Sequence, residues 1–272
     1  MKKDKQETAI DRIVHADHGD PFSILGMHRE GARGSEAVVV RCFLPQARSV
    51  SVVESAAGKV VADLNRVREE GFFEGTVAGR KEAFRYRLRL TPHEGGKAYD
   101  IEDPYRFGPV LGELDIHLLV EGNHLRAFEK LGAHAATVDK VKGVTFAVWA
   151  PNARKVSVVG DFNDWDGRRH PMRVRTECGV WEIFIPGIGI GARYKYQIRG
   201  QGGDLMAEKA DPFAFQAEVP PLSASVVADD RPYNWKDKEW MGRRAHVHDR
   251  DAPVTIYEVH LGSWKRNPDE NN

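Results

Sequence analysis

The chain has few cysteines, no excess charge of either sign and no long apolar run, and each shortage removes a class of function. Its only cysteines among 272 residues, Cys42 and Cys178, stand far apart and neither belongs to a CxxC pair. Zinc-ribbon and dithiol redox chemistry therefore have no support, and two separate buried thiols in a reducing compartment are expected. Lys+Arg and Asp+Glu are both 40, a formal net charge of +0. Such a chain has no broad basic field to hold a phosphate backbone or an anionic bilayer, so neither nucleic acid nor membrane is expected as a partner. No window approaches the ~20 apolar residues of a membrane span. The start, Met1 to Glu7, is charged and lacks the apolar core of a secretory signal, which makes a cytoplasmic setting the expectation.

Chemistry-bearing motifs are absent too. The 11 histidines form no HExxH, and His15 and His18, three apart, have no third ligand nearby. Asp161, Asp164 and Asp166 lack the glycine and the terminal glutamate of a calcium loop. Neither a Gly-rich phosphate loop nor GxSxG occurs. No metal and no cofactor is expected, and a neutral partner is.

What the chain does contain is β texture. Ile10, Ile13 and Val14 recur at helical spacing, with Gly19 as a stop. From Ala37 onward come short runs of β-formers: 38–43, 50–54, 71–77 and 84–90. Arg85 to Leu90 alternates polar and apolar, as a strand with one wet face does. A second set occupies 144–149, 155–159, 179–185 and 193–198. Short strands with turn signals between them predict antiparallel sandwiches. The two sets share an internal repeat: Arg41 to Val50 aligns with Ala147 to Val156, Gly71 to Glu74 with Gly179 to Glu182, and Phe84 to Tyr86 with Tyr194 to Tyr196.

The predicted fold class is therefore all-β, two tandem Ig-like antiparallel sandwiches. The expected division is a first sandwich with its leading helix over 1–108, a connector over 109–137 with a short helix from His124 to Leu131, a second sandwich over 138–228, and a polar tail over 229–272. Within the tail, Val254 to His260 reads as a strand opening something new.

Several stretches resemble glycogen branching enzymes, which transfer α-1,4-glucan segments to make α-1,6 branches. They run from Ile101-Glu102-Asp103-Pro104-Tyr105-Arg106-Phe107-Gly108-Pro109 through Phe146-Ala147-Val148-Trp149-Ala150-Pro151-Asn152-Ala153 and Gly160-Asp161-Phe162-Asn163-Asp164-Trp165. Lys209-Ala210-Asp211-Pro212-Phe213 and Ile256-Tyr257-Glu258-Val259-His260-Leu261-Gly262-Ser263-Trp264 complete the series. Residues 140–228 resemble a family 48 carbohydrate-binding module. Tyr257 to Trp264 resembles the first strand of the family's (β/α)₈ barrel, of glycoside hydrolase family 13 type. The resemblance implies α-glucan as partner (glycogen or maltooligosaccharides), together with the catalytic barrel. It also implies that the catalytic carboxylates sit on later barrel strands, so no catalytic residue is expected here and the chain alone is expected to be silent. A barrel needs about 250 residues.

A neutral sugar is held mainly by stacking on an aromatic ring, with a few hydrogen bonds to its hydroxyls. Trp165 sits in a turn-rich stretch, and by resemblance it matches a tryptophan that stacks on glucose; a structural tryptophan closing the sandwich is the other reading. Lys195 matches, by the same resemblance, a lysine that contacts sugar hydroxyls, against a solvated strand lysine. Trp181 offers a ring on one sheet face, for binding or for packing. Asn163 has an amide for a hydroxyl, or for capping its own turn. Trp149 is expected in the core. Beside the branching-enzyme reading stand two alternatives: a self-standing α-glucan-binding or regulatory module, and a structural tandem with no ligand.

Overall fold

The computed structural model describes residues 2–31, 36–93, 95–229, 233–247, 249–265 and 269, with side chains from residue 6 onward. Two units result, Met1–Asp230 and Arg231–Asn272.

Helix α1 (Lys2–Val14) leads the first unit. It is followed by seven strands: β1 (Gly26–Glu30), β2 (Ala37–Phe43), β3 (Ala47–Glu54), β4 (Lys59–Arg68), β5 (Phe72–Val77), β6 (Tyr86–Pro92) and β7 (Tyr99–Ile101). All pairings are antiparallel, in the order β1-β2-β5-β4-β3-β6-β7. Strand β4 serves both halves. Its first part, Lys59 to Leu64, pairs with β3, and Asn65 to Arg68 pair with β5. The sheet thereby folds over on itself and buries Val38, Val40, Val50, Val52, Phe73, Leu88 and Leu90 between its halves. The turn into β5 needs glycine: Gly71 has φ +104, and a Cβ there would stand 2.5 Å from Pro45 Cα. The apolar stripe of α1, Ile10, Ile13 and Val14, packs against Leu25, Phe43 and Phe72.

A connecting helix, α2 (Glu113–Val120), precedes eight further strands: β8 (Gly132–Val138), β9 (Val141–Trp149), β10 (Ala153–Gly160), β11 (Arg173–Arg175), β12 (Val180–Pro186), β13 (Arg193–Gly200), β14 (Gln216–Ala217) and β15 (Ser225–Val226). They form two sheets, β11-β12-β9-β8 and β10-β13-β15-β14. Val144, Phe146, Val148, Val156, Val158, Trp181, Ile183, Tyr194 and Tyr196 fill the space between them.

The connector departs from expectation. Helix α2 forms in a stretch for which no element is expected, and the short helix expected over 124–131 holds only a 3₁₀ turn, Ala127–Glu129. Residues 132–137, assigned to the connector, belong with Val138 to strand β8, paired along its length with β9. The connector also covers the outer face of the β8–β12 sheet: Leu111, Ile116 and Leu131 pack on Ala147 and Val180. Glu182 lies on that same face with no exposed surface. It accepts the Leu111 N–H at 2.7 Å, and Arg173 and Arg175 stand at 3.9 and 3.6 Å.

The two sandwiches meet within the first unit. Phe22 and Tyr105 of the first sandwich, stacked edge to face at 4.9 Å, pack against the core of the second; the Arg173 guanidinium lies 3.6 Å from the Phe22 ring centre, and Arg154 pairs with Asp17.

The second unit holds α3 (Lys238–Val247) and α4 (Leu261–Trp264) among its described residues; 230–232, 248, 266–268 and 270–272 of the expected tail lie outside them. Val254 to His260 forms no strand, contrary to the reading from sequence. A strand needs a neighbour to take its backbone hydrogen bonds, and no paired strand occurs in this unit among the described residues. Ile256 and Tyr257 are exposed.

Candidate functional site

Alternation along β13 sends Tyr194 and Tyr196 into the core and turns Lys195 outward, with Arg193 and Gln197 on the same parity. Opposite it, Lys155, Ser157 and Val159 of β10 share that outer face, and all three are buried. What covers them is the loop from Asp161 to Pro171. The Gly167 carbonyl accepts from Lys155 Nζ at 2.7 Å and from Ser157 Oγ at 2.6 Å. A Cβ there would fall 1.9 Å from Gln197 Oε1, at the free end of a side chain that can swing aside. Burial pushes the Lys155 amine down to about 7, and the nearby Arg199 acts in the same direction.

The loop is clamped by Asn163, not presented by it. Asn163 is wholly buried; its Oδ1 accepts from Gly160 N at 2.9 Å, and its Nδ2 reaches the Val158 carbonyl at 2.9 Å and His170 Nδ1 at 2.8 Å. The suggested role for Asn163 as a sugar ligand is corrected accordingly: both amide protons and the carbonyl are engaged inside the turn. Burial holds the His170 imidazole down to about 3, so its Nδ1 is free to accept.

Clamped in this way, the turn carries Asp164 and Trp165 at φ +56 and +57. Trp165 is half-buried, and its indole N–H donates to Asp161 Oδ1 at 3.2 Å. The other Asp161 oxygen accepts from Arg193 Nε at 2.7 Å, and Arg193 also reaches Glu218 Oε1 at 3.2 Å. Glu218 in turn accepts the Ala224 N–H at 2.9 Å, the main reason its carboxyl titrates below the ordinary range. Lys195 Nζ donates to Ser223 Oγ at 3.0 Å. Trp165 and Lys195 are thus brought to one edge: Trp165 N bonds the Gly160 carbonyl, and Gly160 pairs with Tyr194, next to Lys195. The resulting surface has one indole, hydrogen-bonded in place, beside a row of donors and acceptors. Arg193 and Glu218 were missed from the sequence because the β10–β13 register and the strands beside β13 bring them there; Asp161 lies in the turn itself but gave no signal of its own.

The other tryptophans exchange roles. Trp181, offered as a binding ring, is 2% exposed in the core, with its indole N–H on the Ala150 carbonyl at 3.0 Å. Trp149, expected in the core, is 60% exposed. It ends β9 on the outer face of its sheet, one residue beyond the inward-facing Val148, where the cover over Ala147 stops.

Two stretches of the chain match known families. The family described as the N-terminal domain of the alpha-1,4-glucan branching enzyme GlgB matches residues 6–105. Carbohydrate-binding module 48 (isoamylase N-terminal domain) matches residues 130–214. The chain is 56% identical over 265 residues to the 1,4-alpha-glucan branching enzyme GlgB of Rubrobacter xylanophilus, covering 97% of this chain and 35% of that one. It is 53% identical over 262 residues to that of Paramagnetospirillum magneticum, covering 96% and 34%. The chain therefore spans about a third of the length of the curated relatives it matches. Among solved structures, a pullulanase from Anoxybacillus sp. LM18-11 aligns over 74% of this chain and 28% of its own, at 17% identity and a TM-score of 0.32.

Proposed function

We propose, from the premise that residues 6–105 belong to the GlgB N-terminal domain family and residues 130–214 to carbohydrate-binding module 48, that the second sandwich holds α-glucan for a branching enzyme. The glucose ring stacks on Trp165, and Lys195 with the Asp161–Arg193–Glu218 row meets its hydroxyls. The first sandwich carries this module and fixes its orientation through the Phe22–Arg173 and Asp17–Arg154 contacts. The transfer of α-1,4 segments into α-1,6 branches belongs to the part of the relatives that this chain does not span. Retaining transfer of that kind needs two carboxylates about 5–5.5 Å apart in a prepared site.

The observation that carries this reading is the Trp165 turn. A tryptophan held at positive φ by a buried asparagine clamp, with its N–H tied to an aspartate, is a ring kept in place at the surface. A rigid aromatic face loses little entropy when a sugar docks on it. We also assign the protein to the cytoplasm, which the two unpaired cysteines support.

The test is affinity electrophoresis of the chain through gels with and without glycogen. Retardation is expected, and Trp165→Ala should reduce it at least tenfold, while Lys195→Ala should weaken it. A chain that migrates identically in both gels would overturn the proposal.

A further inference from the structure

Trp149 does not belong to the Trp165 surface. Its neighbour Val148 points into the core between the sheets, so Trp149 stands on the outer face of β11-β12-β9-β8, whereas Lys195 stands on the outer face of β10-β13-β15-β14. The two rings therefore flank opposite sides of one sandwich, whose sheets are separated by about 10 Å of core.

The indole is held. Its N–H donates to the Cys178 carbonyl at 3.1 Å, in the turn between β11 and β12, which fixes the ring against that turn's backbone. The ring lies in an open groove of about 730 Å³. Leu119 and Val120, at the end of α2, form one apolar wall, and Thr176, Glu177 and Gln201 supply hydroxyl, carboxylate and amide groups around it. Arg175 stands 3.4 Å from Glu177 and balances its charge, and Arg154 in the lining is paired with Asp17. A flat apolar face with a rim of short-range donors and acceptors and no net charge suits a neutral polyhydroxylated ring, with its apolar C–H face and its ring of hydroxyls.

We infer that Trp149 is the platform of a second α-glucan site, on the sheet opposite Trp165. The inference rests on the reading of this sandwich as a glucan-binding module and deepens it. A module with a platform on each side engages two branches of one polymer at once, and the second contact then forms at high local concentration. Short linear chains gain nothing from this, because they reach one platform at a time. The two-sided arrangement selects a branched, multichain substrate over a short linear one.

The experiment is isothermal titration of the 272-residue chain with maltoheptaose, paired with affinity electrophoresis in glycogen gels. The variants are Trp149→Ala, Trp149→Phe, Trp165→Ala and the double alanine variant. Two maltoheptaose sites per chain are expected, falling to one in either alanine variant and to none in the double, with Trp149→Phe keeping a weakened second site. In glycogen, each single alanine variant should be retained at least about tenfold less than the parent. Because Trp149 is exposed, its thermal midpoint should stay at the parent value, which separates lost binding from lost folding. A parent with one site that Trp165→Ala alone abolishes would overturn the Trp149 site and leave the proposed function intact; Trp149 would then be a surface that another protein covers. Binding that survives Trp165→Ala and vanishes with Trp149→Ala would support the second site and remove Trp165 as the platform.

Discussion

Lys155 offers a stability measurement whose sign reverses with pH. Its amine is 2% exposed, donates to the Gly167 carbonyl, and titrates at about 7 instead of 10.5 because burial penalises the charged form. The facing charges are Arg199, which lowers it further, and Asp166 and Asp17, which partly offset that. Between about pH 7 and pH 10.5 the unfolded chain carries the lysine proton and the folded chain does not. Stability therefore rises with pH in this window, by up to about 1.4 kcal/mol per pH unit and about 5 kcal/mol across it. Lys155→Met removes that cost and also removes the hydrogen bond to Gly167, worth about 1 kcal/mol. The variant should thus be about 4 kcal/mol more stable than the parent at pH 7. Its advantage should shrink steadily with pH and reach zero or about −1 kcal/mol near pH 10.5. Comparing parent with variant cancels the buried tyrosines, Tyr86, Tyr105, Tyr194 and Tyr196, which resist ionisation in both. Urea unfolding at half-unit pH steps reads this directly. A difference that stays flat from pH 7 to 10 would refute the argument, as would a parent more stable than Lys155→Met at pH 7.

Glu182→Ala should lower stability by about 3 kcal/mol in thermal or urea unfolding, because Leu111 N–H, Arg173 and Arg175 all lose a buried partner. Glu182→Gln, which can still accept from Leu111, should lose less. Gly167→Ala should leave glycogen retardation and the unfolding transition close to the parent's, since the added methyl meets only the end of the Gln197 side chain, which swings aside; a clear loss of retardation would show that the loop gives way instead. Limited proteolysis should cut within 231–265 first and leave a stable product of residues 1–230, visible by mass spectrometry. Early cleavage inside β2 or β12 would contradict that division.

Much of the sandwich architecture was legible because strand alternation is a local property: Arg85 to Leu90 carries its inside and outside in its own order. Strand β8 was not legible, since Gly132-Ala133-His134-Ala135-Ala136 has little β-propensity and becomes a strand only through the ladder that β9 offers. The Trp149–Trp181 exchange has a related cause. Both faces of β12 are apolar or buried, as one packs on the other sheet and one lies under the connector, so parity alone does not say which face is the core. Asn163 was half legible. Asn-Asp announces a turn, but that the amide faces inward to Gly160 and His170 depends on where β10 ends.

The apolar cover over the second sandwich bears on how such modules are moved between proteins. The family matches leave residues 106–129 between them, and a cut placed at 130 follows those matches but not the packing. It would discard Leu111 and Ile116 and lay Ala147 and Val180 open to water, while leaving Glu182 without its backbone donor. The portable unit begins near residue 109, and the stretch that reads as a spacer travels with the domain as its lid.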